Sequence, residues 1–202
     1  MNLHGQKHIE VVRLDIILCN LFKISIMTTI LVLVSLVIFI AYNMYAIRKY
    51  GFPTSLSATY YSLPTKWRWM FTIFMWAVAL LLMPAWLEIC NSFGDWREYL
   101  TFLAFLSCAL ICFVGAAPNF RAFEMESKVH VISATGAAVT SLIWCLVCCW
   151  NIMYIPILSA LIVLEVALIT KTLKSSKVYW LEMMAFAATY GSVLVTSLIS
   201  QI

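Results

Sequence analysis

His130 is the only histidine in the apolar part of the chain, and Glu126 stands four residues before it. That spacing puts both on one face of a helix. A carboxylate there fixes the imidazole tautomer or favours its protonated form. The plainer reading is a capped helix start, because an acid in the first turn also suits the helix dipole. Glu165 lies near the end of the fifth apolar stretch, and Glu182 lies near the start of the sixth. By depth, His130, Glu165 and Glu182 fall in one layer, with Asn119, Arg121, Glu124 and Glu126 just below. In that layer Glu126 orients His130, Arg121 meets an anionic group, and Glu165 and Glu182 close a pocket. The plainer alternative is that each side chain reaches separately toward Lys171 and Lys174. The segment from Pro53 to Tyr61 is dense in hydroxyls and stands beside Lys66 and Arg68. Ser55, Ser57, Tyr60 and Tyr61 are its candidate donors to a lipid phosphate or a neighbouring loop. An interfacial Tyr/Ser loop with no ligand is the simpler account. Glu88 and Asp95, at the opposite end, read as solvated.

The elements that must hold these groups follow from composition. Of 202 residues, 64% are hydrophobic and only 11% are charged. One soluble core cannot hide that much apolar surface, so the natural solvent is a bilayer. A spanning helix needs about 20 mostly apolar residues. Six stretches qualify: 24–47, 67–87, 99–117, 129–150, 153–170 and 178–199. The expected fold is therefore all-α, a polytopic integral membrane protein built as a bundle of six transmembrane helices over 24–202. Residues 1–23 form a lead-in that is either amphipathic or not native, and Met27 offers a second start. Pro84 breaks the second stretch near its end, and Pro118 stops the third. Trp67, Trp69, Trp86, Trp96, Trp150 and Trp180 fall near helix ends, as interfacial anchors do. Ser133, Gly136, Ala137 and Ser141 allow close helix packing. Arg48, Lys49, Lys66, Arg68, Arg121, Lys128, Lys171, Lys174 and Lys177 lie in loops one, three and five. Arg97 alone lies on the other side, apart from the lead-in. The positive-inside rule then makes loops one, three and five cytoplasmic and the C-terminus external. The expected location is a cell membrane, taken as a bacterial inner membrane.

Several chemistries are disfavoured. Of the seven cysteines, Cys145 and Cys148 make a lone CxxC inside an apolar segment. Packing is the reading there, since an apolar site raises a thiol pKa. One membrane histidine does not supply two axial haem ligands or a zinc-hydrolase set. No Walker A, GxSxG or HExxH occurs, nor a filter or a basic groove for nucleic acid. No cofactor, metal or catalytic residue is assigned. The expected partners are membrane lipids, with a partner membrane protein or a second copy as the other option.

Ser55-x-Ser57-x-Thr59-Tyr-Tyr61, Phe113-Val-Gly-Ala-Ala-Pro118-x-Phe120, His130-x-x-x-Ala134 and Ser141-Leu-Ile-Trp144 together resemble a known family. It is the small six-helix membrane proteins of the DRAM / FGF-receptor-activating-protein group, and more closely their uncharacterised bacterial relatives. The resemblance covers about Ser55 to Trp144. It implies a six-helix bundle with a polar third loop and a histidine opening helix four, and no known catalytic activity. The leading functional reading is a membrane protein that binds a lipid headgroup or a partner through the cytoplasm-facing polar layer. The alternatives are a small proton-coupled permease with Glu165 and His130 as carriers, and an intramembrane lipid-modifying enzyme. In the enzyme, His130 would be the base and a loop-one hydroxyl the nucleophile.

Overall fold

In the computed structural model the backbone is described for residues 3–92, 96–116 and 124–199, and side chains for 26–92, 96–116 and 128–199. Among these residues every regular element is helical. The order is α1 (Leu3–Tyr50), α2 (Ala58–Ser62), α3 (Trp69–Ser92), α4 (Thr101–Ala116), α5 (Glu124–Cys148), α6 (Tyr154–Ile169) and α7 (Lys177–Ile199). Short 3-10 turns at Thr65–Trp67, Trp96–Leu100 and Trp150–Ile152 join some of them. Five segments are long and apolar enough to cross a membrane: Ile26–Tyr50, Thr65–Ser92, Trp96–Ala116, Lys128–Cys148 and Lys177–Ile199. The fifth apolar stretch, 153–170, makes the shorter α6, of 16 residues.

Local chemistry explains the boundaries. Gly51 has φ 79° and its N–H bonds to the Ile47 carbonyl at 2.9 Å, a left-handed cap that ends α1. The α1 backbone runs without a break through Met27. Pro84 does not end α3, which continues to Ser92. A proline in a helix interior leaves one carbonyl without its intrahelical partner and often bends the axis, yet packed neighbours tolerate it.

Substantial packing joins α1 to α3, α3 to α4, α4 to α5, and α6 to α7. Helix α7 also packs on α1, α3 and α5, so it is the hub of the bundle. The substantial contacts of α6 are with α7, which leaves α6 at the periphery. Close approach is set by small residues. A Cβ added at Gly115 would lie 2.8 Å from the Met75 Cβ, so α3 and α4 nearly touch there. Thr72 Oγ1 donates to the Gly115 carbonyl at 2.8 Å across the same contact. A Cβ at Gly191 would collide with Ser159 of α6. Ser133, Ala137 and Ser141 are buried on α5, in keeping with the small-residue stripe. Ser107 and Thr140 share a hydrogen bond of 2.7 Å between α4 and α5.

The core is aromatic. Tyr42 stacks on Phe74 with centroids 4.0 Å apart, and Phe39 meets Phe74, Phe186 and Tyr190. Trp86 and Trp144 meet edge to face at 5.5 Å. Two of the expected interfacial tryptophans are thus core residues. Trp86 is fully buried, and Trp180 is buried with its N–H on Thr172 Oγ1 at 3.0 Å. Sequence position along a helix does not reveal which way a ring faces. Trp67, Trp69, Trp96 and Trp150 are exposed. The outer surface of the bundle is also apolar, with Val37, Phe102, Ile132 and Ile169 all exposed.

Candidate functional site

Loop one folds back onto the start of α7. The Thr54 carbonyl accepts from the Tyr179 N–H at 3.1 Å, and the Leu56 N–H donates to Glu182 Oε2 at 2.6 Å. Ser55 Oγ accepts from the Ala58 N–H at 3.1 Å and pairs with Ser57 Oγ at 3.1 Å. Thr59 Oγ1 donates to the Leu56 carbonyl at 2.6 Å and meets the Tyr42 hydroxyl at 2.8 Å. Tyr179 donates to Asn43 Oδ1 at 3.1 Å, and Asn43 in turn donates to the Phe39 carbonyl. The guanidinium of Arg68 lies over the rings of Tyr60 and Tyr61, 5.4 and 5.9 Å from their centroids. Such contacts hold loop one in one shape and give Arg68 a place over two aromatic faces.

Behind this loop lies a cavity of about 60 Å³. It runs between α3, α4, α5 and α7. Leu56 and Ser57 line it from the loop, and among the described residues Glu182 supplies its only ionisable lining group. Met75, Leu82, Trp86, Ile111, Val114 and Phe186 form apolar walls, with alanines on α5 and α7 giving the space. Ser141 and Thr189 are its remaining hydroxyls. Their protons are used in the helix, to the Ala138 carbonyl at 3.0 Å and the Ala185 carbonyl at 2.9 Å. A space of ~60 Å³ compares with ~10–15 Å³ of the same measure for one water, so it fits a small group rather than a single solvent molecule.

Three buried side-chain nitrogens around loop one and the cavity lack hydrogen-bond partners among the described residues. Arg68 Nε is one, Trp86 Nε1, on a cavity-lining ring, is another, and His130 Nδ1, one helical turn before the cavity-lining Ala134, is the third. An unsatisfied buried polar atom costs about 1–3 kcal/mol, so each is a place where a ligand atom would gain.

The residues expected from the sequence divide accordingly. Glu182, Ser57 and the loop-one backbone come together at the cavity. Ser55 is spent on capping α2, and Tyr60 and Tyr61 cradle Arg68. His130 is half-buried on α5. Glu165 stands apart: it is exposed on α6, among exposed Leu161, Ile162, Leu168 and Ile169, and does not line the cavity. Arg121 lies outside the described residues, as does the side chain of Glu126. Glu88, expected to be solvated, accepts a hydrogen bond from Thr28 Oγ1 at 2.6 Å, which ties α3 to α1 at the far end. The sequence reading missed Leu56 and Trp86. Trp86 was visible as a polar-tipped ring inside an apolar run, but a backbone N–H donor leaves no trace in residue types. No family model matches the chain, and no match to it is found among curated proteins or solved structures.

Proposed function

We propose that the chain is a multi-pass membrane protein that binds a small amphipathic molecule or one end of a lipid. The apolar part enters the cavity, and the polar part sits at the loop-one end beside Glu182 and Ser57. One observation carries this reading. The Glu182 carboxylate faces a cavity lined mostly by apolar side chains and accepts one N–H of loop one. A carboxylate in such a place is expensive unless a donor meets it. A ligand hydroxyl or ammonium supplies that donor, and its apolar remainder finds matching walls.

In the same reading α6 is a short sixth span, and loops one, three and five face the cytoplasm. The apolar exterior and the five long apolar helices support membrane placement. The Lys and Arg asymmetry supports the orientation. The reading also keeps the chain beside the DRAM / FGF-receptor-activating-protein group. Binding is favoured over proton-coupled transport, because the cavity walls beyond Glu182 are aromatic and aliphatic with two hydroxyls already bonded to carbonyls.

The test compares wild type, Glu182→Gln and Ala185→Leu, purified in mild detergent. Glu182→Gln keeps an acceptor for the Leu56 N–H but removes the charge, and Ala185→Leu fills the cavity. Mass spectrometry of copurifying small molecules should show one hydroxyl- or amine-bearing amphiphile enriched in wild type. It should fall roughly tenfold or more in both variants, corresponding to at least ~1.4 kcal/mol of binding. Identical profiles in three proteins of equal thermal stability would rule the reading out.

A further inference from the structure

Helix α1 has two faces as it approaches loop one. Phe39, Tyr42 and Ala46 are buried against the bundle, whereas Val37, Ile40, Met44, Tyr45, Arg48 and Lys49 are exposed. The exposed face is ordered along the axis: aliphatic side chains first, then a phenol, then two cations. From Val37 to Arg48 it runs about 16 Å, at 1.5 Å per residue. Its last turns form an open depression of about 440 Å³ lined by Ala41, Met44, Tyr45, Arg48 and Lys49. Among the described residues no carboxylate lines it. Lys49 Nζ donates to the Tyr45 hydroxyl at 3.1 Å and stands 5.4 Å from the ring centroids of both Tyr45 and Tyr50. Those two rings meet edge to face at 6.4 Å. The aromatic faces hold the ammonium in place. An ammonium has three N–H donors, so the two phenols leave at least one for an anion.

We infer that this face of α1 binds one anionic phospholipid, with its phosphodiester on Arg48 and Lys49 and an acyl chain along Met44, Ile40 and Val37. The order of polarity and the sign of charge carry the assignment. A phospholipid presents an apolar chain, an ester region and a charged phosphate in that same order. The length of the face matches one leaflet, half of a hydrocarbon core of about 30 Å. Tyr45 stands between the aliphatic and cationic parts, where phenols settle at a membrane interface with the ring in the acyl region and the hydroxyl toward the headgroups. Each Lys or Arg near a membrane surface adds attraction for anionic lipid, and here two share one depression. A free phosphate would use the cations alone and leave the aliphatic length without a role. A zwitterionic lipid brings its own cation, which Arg48 and Lys49 repel. The inference rests on the membrane placement of α1 proposed above. It does not rest on the cavity behind loop one, whose ionisable lining group is the acid Glu182.

The full chain, delipidated in mild detergent, is titrated with dioleoyl phosphatidylglycerol and with dioleoyl phosphatidylcholine, and bound lipid is counted by native mass spectrometry. Wild type should bind its first phosphatidylglycerol roughly tenfold more tightly than phosphatidylcholine. Arg48→Gln combined with Lys49→Gln should abolish that preference. Lys174→Gln combined with Lys177→Gln removes the same charge from other exposed positions and should keep it. If the first double variant fails to fold, Arg48→Gln and Lys49→Gln taken singly should each reduce the preference about threefold. Equal affinity of wild type for the two lipids overturns the inference. An equal loss in both double variants also overturns it, because general electrostatics then explains the binding. Displacement of phosphatidylglycerol by inorganic phosphate at the same concentration overturns it as well, because the site then holds an ion without its chain. Flotation with phosphatidylcholine vesicles is read separately. A chain that stays in the aqueous fraction overturns the membrane placement itself, which distinguishes that failure from a failed lipid preference.

Discussion

Ser35 sits where three helices meet, and its hydroxyl is engaged on both sides. It donates to the Val78 carbonyl of α3 at 3.1 Å and shares a 2.6 Å hydrogen bond with the Tyr190 hydroxyl of α7. All three residues are fully or almost fully buried. A double-mutant cycle with Ser35→Ala and Tyr190→Phe should give a coupling of about 1 kcal/mol in thermal or denaturant unfolding, near the upper half of the range for polar pairs between membrane helices. A coupling indistinguishable from zero would mean that the pair fills space and does not bond. Neither partner was legible as such. Ser35 is a small residue in a run of Val, Leu and Ile, and its partner stands 155 positions away. Glu182 was legible as one carboxylate of a polar layer near the start of the last apolar stretch. Its donor was not, because the Leu56 N–H belongs to the backbone and only the path of loop one brings it there.

Helices were the most legible level. The apolar stretches locate α3 to α7 closely, because hydropathy and length carry that information directly. The misjudged details have local causes. Pro84 was read as a break, but α3 runs past it to Ser92. Trp86 and Trp180 were read as anchors, but each ring faces inward. How closely two helices approach was visible only as a tendency of small residues, and the structure ranks the sites. At Gly115 the obstacle to a methyl group is the Met75 Cβ at 2.8 Å, which cannot rotate away. At Gly191 the obstacle is the Ser159 hydroxyl, which can. An alanine in a helix interior gains up to about 1 kcal/mol over glycine, and overpacking costs about 1–3 kcal/mol. Gly115→Ala should therefore lower stability by about 1–2 kcal/mol. Gly191→Ala should be close to neutral and should turn clearly stabilising when combined with Ser159→Ala only if the hydroxyl is the obstacle. Unfolding midpoints of the three variants, measured side by side, check the order. Equal losses at both glycines would contradict it.

At the scale of the molecule, α7 is the axis on which α1, α3, α5 and α6 are assembled, and loop one is clamped to its first turn. The cavity is thus built from parts that are distant in sequence and adjacent only in the closed bundle. This is why the all-helical plan could be read from composition while the site could not. Helix α6 is the outlier of the assembly. Its 16 residues span about 24 Å at 1.5 Å each, against a hydrocarbon thickness of about 30 Å. In the proposed six-span arrangement, the side of the molecule carrying α6 is shorter than the hydrocarbon around it, while the long helices α1 and α3 match or exceed it. Lipids beside α6 must then compress, and the cost rises with acyl length. Reconstituted in dimyristoyl and in dierucoyl phosphatidylcholine, the protein should unfold at a higher temperature in the thinner bilayer, and replacing α6 by a helix one turn longer should erase the difference. The deformation is one-sided. In that arrangement two molecules in a thick membrane would lower the total distortion by turning their compressed flanks together, so hydrophobic mismatch alone would favour both a thinner membrane and one edge for self-association.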